Sequence, residues 1–107
     1  MNNDLALTES TYYILLSLYE PRHGYGIMQQ TEQLSRGRVS LAAGTLYGAL
    51  TSMTEKGWIK QLPVADGSRR KEYALTEKGL YILKNELDRL RELVQSGEIV
   101  MGGKENG

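Results

Sequence analysis

Apolar residues recur along this chain with two periods, and each stretch predicts one element. Between Leu41 and Gly57, LAAGTLYGALTSMTEKG, residues Leu46, Ala49, Leu50 and Met53 fall at i, i+3, i+4 and i+7, the stripe of an amphipathic helix. Its other face holds Gly44, Gly48, Thr51, Ser52 and Glu55, with Thr45 and Tyr47 on the borders. Glycine costs roughly 1 kcal/mol against alanine inside a helix, so two glycines on a face usually given to Lys, Glu or Gln need a reason. A large partner lying close against that face supplies one, and a nucleic-acid groove has the right shape.

The same reading covers the rest of the chain. Thr8 to Tyr19 predicts a helix, capped by Thr8 or Ser10, with Thr11, Ile14, Leu15 and Leu18 on one side and Leu7 packing just before it. Arg22, His23 and Gly24 break the pattern, and His23 reads as a surface turn residue. Tyr25 to Ser35 predicts a second helix with Ile27, Met28 and Leu34 inward and Gly37 as its C-cap. Arg38 to Leu41 suggests a brief strand, and the central helix starts near Ala42 or Ala43. Trp58 to Val64 and Arg70 to Leu75 read as two strands joined at Asp66-Gly67, with Pro63 at a strand end or edge. Thr76 then caps a final helix with Glu77 in its first turn.

In that last helix Leu80, Leu83, Leu87, Leu90 and Val94 keep a three-four spacing, a heptad seam suited to self-association. Lys84, Glu86, Asp88, Arg89, Arg91 and Glu92 are assigned to its outer faces. The residues after Gly97 lose the period and read as a frayed tail. The expected organisation is a DNA-binding domain over 1–76, a dimerisation helix over 77–96 and a flexible tail over 97–107. The fold class is mainly α with a small β-hairpin, a winged helix-turn-helix domain plus a C-terminal helix.

Composition narrows the function. The chain has 107 residues, 40% of them hydrophobic, which suits one folded domain. Zero cysteines and a single histidine argue against disulfides, thiol chemistry and a histidine zinc site. No stretch is apolar and long enough for a membrane span, and the first residues lack the pattern of a signal peptide, so a cytoplasmic location is expected. Net charge is zero, but its distribution is uneven. Residues 1–21 carry Asp4, Glu9 and Glu20 with no cation, whereas residues 56–71 carry Lys56, Lys60, Arg69, Arg70 and Lys71 against Asp66 alone.

A slim-faced helix followed by a hairpin with a basic end reads as a winged helix that binds double-stranded DNA. In this reading Ala43, Gly44, Thr45, Tyr47, Gly48 and Thr51 meet the groove and Arg69, Arg70 and Lys71 meet phosphates. Tyr25, between two glycines, fits either the core or a phosphate contact. A nucleophile-base pair, a metal cluster and a P-loop are all missing from the sequence, so no catalysis and no cofactor are expected. The competing reading is a winged-helix protein-interaction module, favoured by the neutral net charge and by the lack of Lys or Arg on the central helix's exposed face.

Several stretches carry a resemblance. His23-Gly24-Tyr25-Gly26, Gly44-Thr45-Leu46-Tyr47 with Ala49-Leu50, Glu55-Lys56-Gly57-Trp58-Ile59, and Arg69 through Gly79 (RRKEYALTEKG) stand in the order and spacing of PadR-like regulators. The chain resembles that family from about Leu7 to Leu87. It departs at Gly48, where the family usually has proline, and at Trp58, where an aliphatic residue is commoner. The resemblance implies a homodimeric repressor on a palindromic operator, held together by its C-terminal helices. It also implies release by a small, often aromatic effector; Tyr12, Tyr13, Tyr19 and Trp58 fit either the wall of such a pocket or the core.

Overall fold

The computed structural model describes residues 6–63 and 70–106, with side chains at the C-terminus described as far as residue 103. The elements in order are α1 (Glu9–Ser17), β1 (Arg22–His23), α2 (Gly24–Leu34), α3 (Ala43–Glu55), β2 (Ile59–Gln61), β3 (Glu72–Leu75) and α4 (Glu77–Asn106). The expected Asp66-Gly67 turn, Val64 and Arg69 lie outside the described residues.

Local chemistry sets the helix ends. The Thr8 hydroxyl accepts the Thr11 N–H at 3.1 Å and starts α1. Lys56 closes α3, and Gly57 (φ 78°) takes the left-handed place beyond it. There the N–H groups of Gly57 and Trp58 reach back to the carbonyls of Thr54 and Met53, both at 3.0 Å. Helix α2 ends in the same way, but Arg36 (φ 55°) rather than glycine stands in the first left-handed place, with Gly37 (φ 83°) after it. Gly37 therefore follows the turn expected of it by one residue, and the strained position belongs to a side chain with a Cβ.

A three-stranded antiparallel sheet, in the order β1-β3-β2, closes the domain. Tyr73 at its centre faces Arg22 on one side and Gln61 on the other. The third strand is thus Arg22–His23, not the Arg38–Leu41 segment that the sequence suggests. Two residues are too few to show a period of two, and β1 exists only through its pairing with β3. The 38–41 segment is instead tied by side chains. The Ser35 hydroxyl accepts the Val39 N–H at 3.0 Å, and Arg38 pairs with Glu9 at 3.1 Å.

The core joins Ile14, Leu15 and Leu18 of α1 and its end, Ile27 of α2, Leu46, Leu50 and Met53 of α3, Ile59, Tyr73 and Leu83. Thr76 is the joint beneath it. Its hydroxyl donates to the Gly57 carbonyl at 2.5 Å and accepts the Gly79 N–H at 3.0 Å, while its own N–H donates to the Trp58 carbonyl at 3.0 Å. A side chain on Gly79 would run into that Trp58 carbonyl, so glycine is needed where α4 crosses the start of β2. One residue thereby fixes α3, β2 and α4 relative to each other.

Two further expectations change. Glu86 does not stand on the outer face: it is buried at 4% exposure, with Arg89 on both carboxylate oxygens at 2.8 and 2.6 Å. Helix α4 also does not stop near 96 but continues through Gly97 to Asn106. Met101 lies one heptad beyond Val94, so the apolar period survives the glycine between them. No helix of the described residues is long and apolar enough to cross a membrane.

Candidate nucleic-acid interface

Helix α3 buries Leu46, Leu50 and Met53 and turns Ala43, Gly44, Thr45, Gly48, Thr51 and Ser52 outward. Among the described residues a Cβ built on Gly44 or on Gly48 would meet nothing within 4 Å, so no packing contact there requires either glycine. The helix begins at Ala42 without a side-chain cap. Its first-turn N–H groups are therefore open to an anion or to water, at the positive end of the helix dipole.

The polar side chains of this face divide in two. Thr51 donates its hydroxyl to the Tyr47 carbonyl at 2.9 Å. Tyr47 remains about half exposed at 47%, but its hydroxyl fills the space in which a Gly24 side chain would stand. Gly24 is buried at the start of α2, and glycine is what lets Tyr47 lie there. Burial first, and then the nearby Tyr47 phenol, push the Tyr73 phenol above its ordinary value of 10.0. Tyr47 is thus part of the joint between α3, α2 and β3 as well as of the outer face.

Next to this joint His23 caps α2 from β1, with Nδ1 3.4 Å from the Gly26 N–H. Its Nε2 lies 3.2 Å from the Arg70 guanidinium. Neutral imidazole has one acceptor nitrogen, so the ring either caps the helix or accepts from Arg70 at a given moment. His23 is therefore a half-buried structural residue rather than the surface turn residue that sequence suggests. The only earlier signal for it is its position just ahead of a Gly-x-Gly helix start. Arg70 and Lys71 are exposed at the entry to β3, and Tyr25 is 63% exposed in the first turn of α2. The exposed edge of the domain thus brings α3, the first turn of α2 and the basic end of the hairpin together; Arg69 lies outside the described residues.

The α4 seam also splits. Leu83 is buried at 5% in the domain's own core, and Leu80 is half-buried. Leu87 and Val94 are exposed, and with the half-buried Leu90 they line an open groove of about 300 Å³ together with Arg91, Gln95 and Glu98. Leu93, Ile99, Val100 and Met101 are exposed as well. Of the aromatic residues, Tyr12 and Trp58 pack against the core, Tyr13 meets Tyr12 edge to face at 5.7 Å, and Tyr19 is exposed. Among the described residues no group of acidic, histidine or cysteine side chains is placed to hold a metal ion.

The model of the transcriptional regulator PadR-like family matches residues 14–85. The chain belongs to that family. This PadR-like chain is similar to a PadR family transcription regulator from hypervirulent Clostridium difficile R20291. The two share 26% identity over 88% of this chain and 99% of that one, with a TM-score of 0.73. It is similar at 27% identity to RosR of H. salinarum, over 94% of this chain and 96% of that one, with a TM-score of 0.66. Bacillus subtilis PadR, solved in complex with operator DNA, is 26% identical over 72% of this chain and 45% of its own length, with a TM-score of 0.63. No curated protein matches the chain in sequence. The fold is the winged helix expected from the sequence, and the family is one of transcriptional regulators.

Proposed function

We propose that this PadR-like chain is a dimeric, sequence-specific repressor whose α3 enters the major groove of a palindromic operator. The observation that carries the reading is the open front of α3: a side chain on Gly44 or Gly48 would meet nothing among the described residues, although glycine weakens the helix. Close approach of a duplex explains both glycines. In this reading Ala43, Thr45 and Thr51 meet base edges, and the uncapped first turn faces phosphate. Tyr25 contacts the flanking backbone together with Arg69, Arg70 and Lys71, and the three cations give affinity and salt dependence rather than sequence choice. Tyr47 meets the duplex through the exposed part of its side chain.

The dimer is proposed through Leu87, Leu90 and Val94, continued by Met101. Leu80 and Leu83 support the same helix from within their own domain. A twofold dimer requires half-sites about one helical turn, roughly 34–36 Å, or a multiple of it apart. Release by a small molecule is proposed by analogy with relatives, and the exposed apolar groove on α4 is a place where an effector and the dimer contact would compete. The interaction-module reading draws on two observations, the neutral net charge and the absence of Lys and Arg from α3.

Selection of bound sequences from random duplex DNA near physiological salt separates the two readings. The repressor reading expects an enriched inverted repeat. Replacing Arg70 and Lys71 with Ala should then flatten the salt dependence by up to about one unit per lost phosphate contact. Failure to enrich any sequence, with residual binding that vanishes as salt rises, supports the interaction module.

A further inference from the structure

The inference concerns what α3 reads, and it rests on the DNA-reading role proposed for that helix. In the major groove the usual strong discriminators are Arg or Lys on guanine and Asn or Gln on adenine, each bridging two groups of one base. Helix α3, AGTLYGALTSMTE, contains none of these four residue types, and its only charged residue is Glu55 in the last turn. Its hydroxyls are partly committed as well. Thr51 donates to the Tyr47 carbonyl at 2.9 Å, Thr54 donates to the Leu50 carbonyl at 2.8 Å, and the Tyr47 hydroxyl lies against Gly24. Apart from the Thr45 and Ser52 hydroxyls, which can make single hydrogen bonds but not the two-point contacts of the strong discriminators, what the helix offers a base edge is carbon. It presents the methyls of Ala43, Thr45 and Thr51 and, between the two threonines, bare backbone at Gly44 and Gly48.

The one base-edge group in the major groove that matches an apolar surface is the thymine 5-methyl. We propose that α3 selects its operator through thymine methyl groups packed against Gly44 and Gly48 between the methyls of Thr45 and Thr51. Bidentate hydrogen bonds to purines then have no part in α3 readout. A helix with Cβ atoms at 44 and 48 would stand off from the methyl, which explains why the front is glycine rather than alanine.

The test uses the full chain and the sequence obtained by selection. Each thymine in the half-site is replaced singly by deoxyuridine, which keeps every hydrogen-bonding group and removes only the methyl. Burial of one methyl predicts a loss of about fourfold in affinity at each thymine that α3 covers. In parallel, Gly48→Ala adds a methyl where nothing among the described residues stands within 4 Å. Its thermal midpoint should hold or rise, while operator affinity falls at least about tenfold. Equal affinity for thymine and uracil at every position overturns the proposal, as does a Gly48→Ala protein with unaltered operator binding. Those results leave the repressor reading intact. A chain that selects no sequence at all overturns both.

Discussion

Replacing Glu86 with Gln probes the one charged side chain that is buried among the described residues, where it ties α4 to the start of the chain. The carboxylate is 4% exposed, and Arg89 meets it with two hydrogen bonds, Nε to one oxygen at 2.8 Å and a terminal nitrogen to the other at 2.6 Å. Arg89 holds the Glu86 carboxyl below its ordinary value of 4.5, burial opposes this, and the Leu7 N–H adds to the lowering. Gln keeps the shape but presents an NH₂ where one of these donors now points. Losing a hydrogen bond to a charged group costs about 1.5–3 kcal/mol. Part of that returns because a neutral amide costs less to bury and because water can take over at the partly exposed Arg89. A net loss of about 1–2 kcal/mol is expected near neutral pH, with about 4–8 °C in Tm for each kcal/mol in a domain of this size.

The pH dependence follows from the direction of the shift. A carboxyl lowered in the folded state contributes fully above its unfolded value, and that contribution is lost as pH falls through the lower folded value. Urea unfolding of wild type and Glu86→Gln at pH 7, 5, 4 and 3 should show a constant gap down to about pH 5. Below pH 4.5 the gap should narrow as the wild type alone loses the contribution of the Glu86 charge. A gap that ignores pH would refute the assigned role of the charge, and a more stable Gln variant would mean that desolvation outweighs the ion pair.

Other perturbations address separate parts of the argument. Thr31 is fully buried and its hydroxyl has no hydrogen-bond partner among the described residues. Thr31→Val should therefore raise stability by about 1 kcal/mol in denaturant melts, and a loss would reveal a partner for that hydroxyl. Arg36 holds φ 55° at the end of α2. Arg36→Gly should stabilise by about 0.5–1 kcal/mol, the relief of the left-handed strain less the added freedom of the unfolded chain. Leu83→Ala should cost about 2–4 kcal/mol of folding stability. Leu87→Asp with Val94→Asp should leave each domain folded but shift sedimentation to monomer and weaken operator binding. Dimers that survive both aspartates would remove α4 from the proposed interface.

The parts of this fold that were legible in the sequence are those in which local chemistry decides. The stripe of Leu46, Leu50 and Met53, the Thr8 and Thr76 caps and the glycine after α3 all act within one or two turns, and each stands where the sequence reading puts it. Misread elements depend on partners distant in sequence. Arg22–His23 becomes a strand because β3 lies beside it, and Glu86 meets the backbone of Leu7 from the far end of the chain. Tyr47 belongs to the same class, since its position depends on the missing side chain of Gly24. The His23 cap is the exception, a local contact with Gly26 that the sequence reading passed over.

The leucine seam shows why periodicity alone could not assign the surfaces of α4. Leu80, Leu83, Leu87, Leu90 and Val94 form one unbroken pattern in sequence, and a period records only that these residues share a side of a helix. Which neighbour covers that side depends on how far the helix runs beside its own domain. Thirty residues span about 45 Å, and the winged domain reaches along only the first turns. Leu83 is therefore taken into the core, Leu87 lies at the margin at 37% exposure, and Val94 at 58% stands clear of it. The same seam first locks α4 to the domain that would read DNA and then, from Leu87 onward, leaves an apolar edge exposed, the edge that the proposed second copy would cover. If α4 pairs as proposed, a shift in that pairing would move the two α3 helices with it, because Thr76 holds α4 and α3 to a single frame. That rigid connection is the route by which an effector in the α4 groove would change operator binding without touching α3.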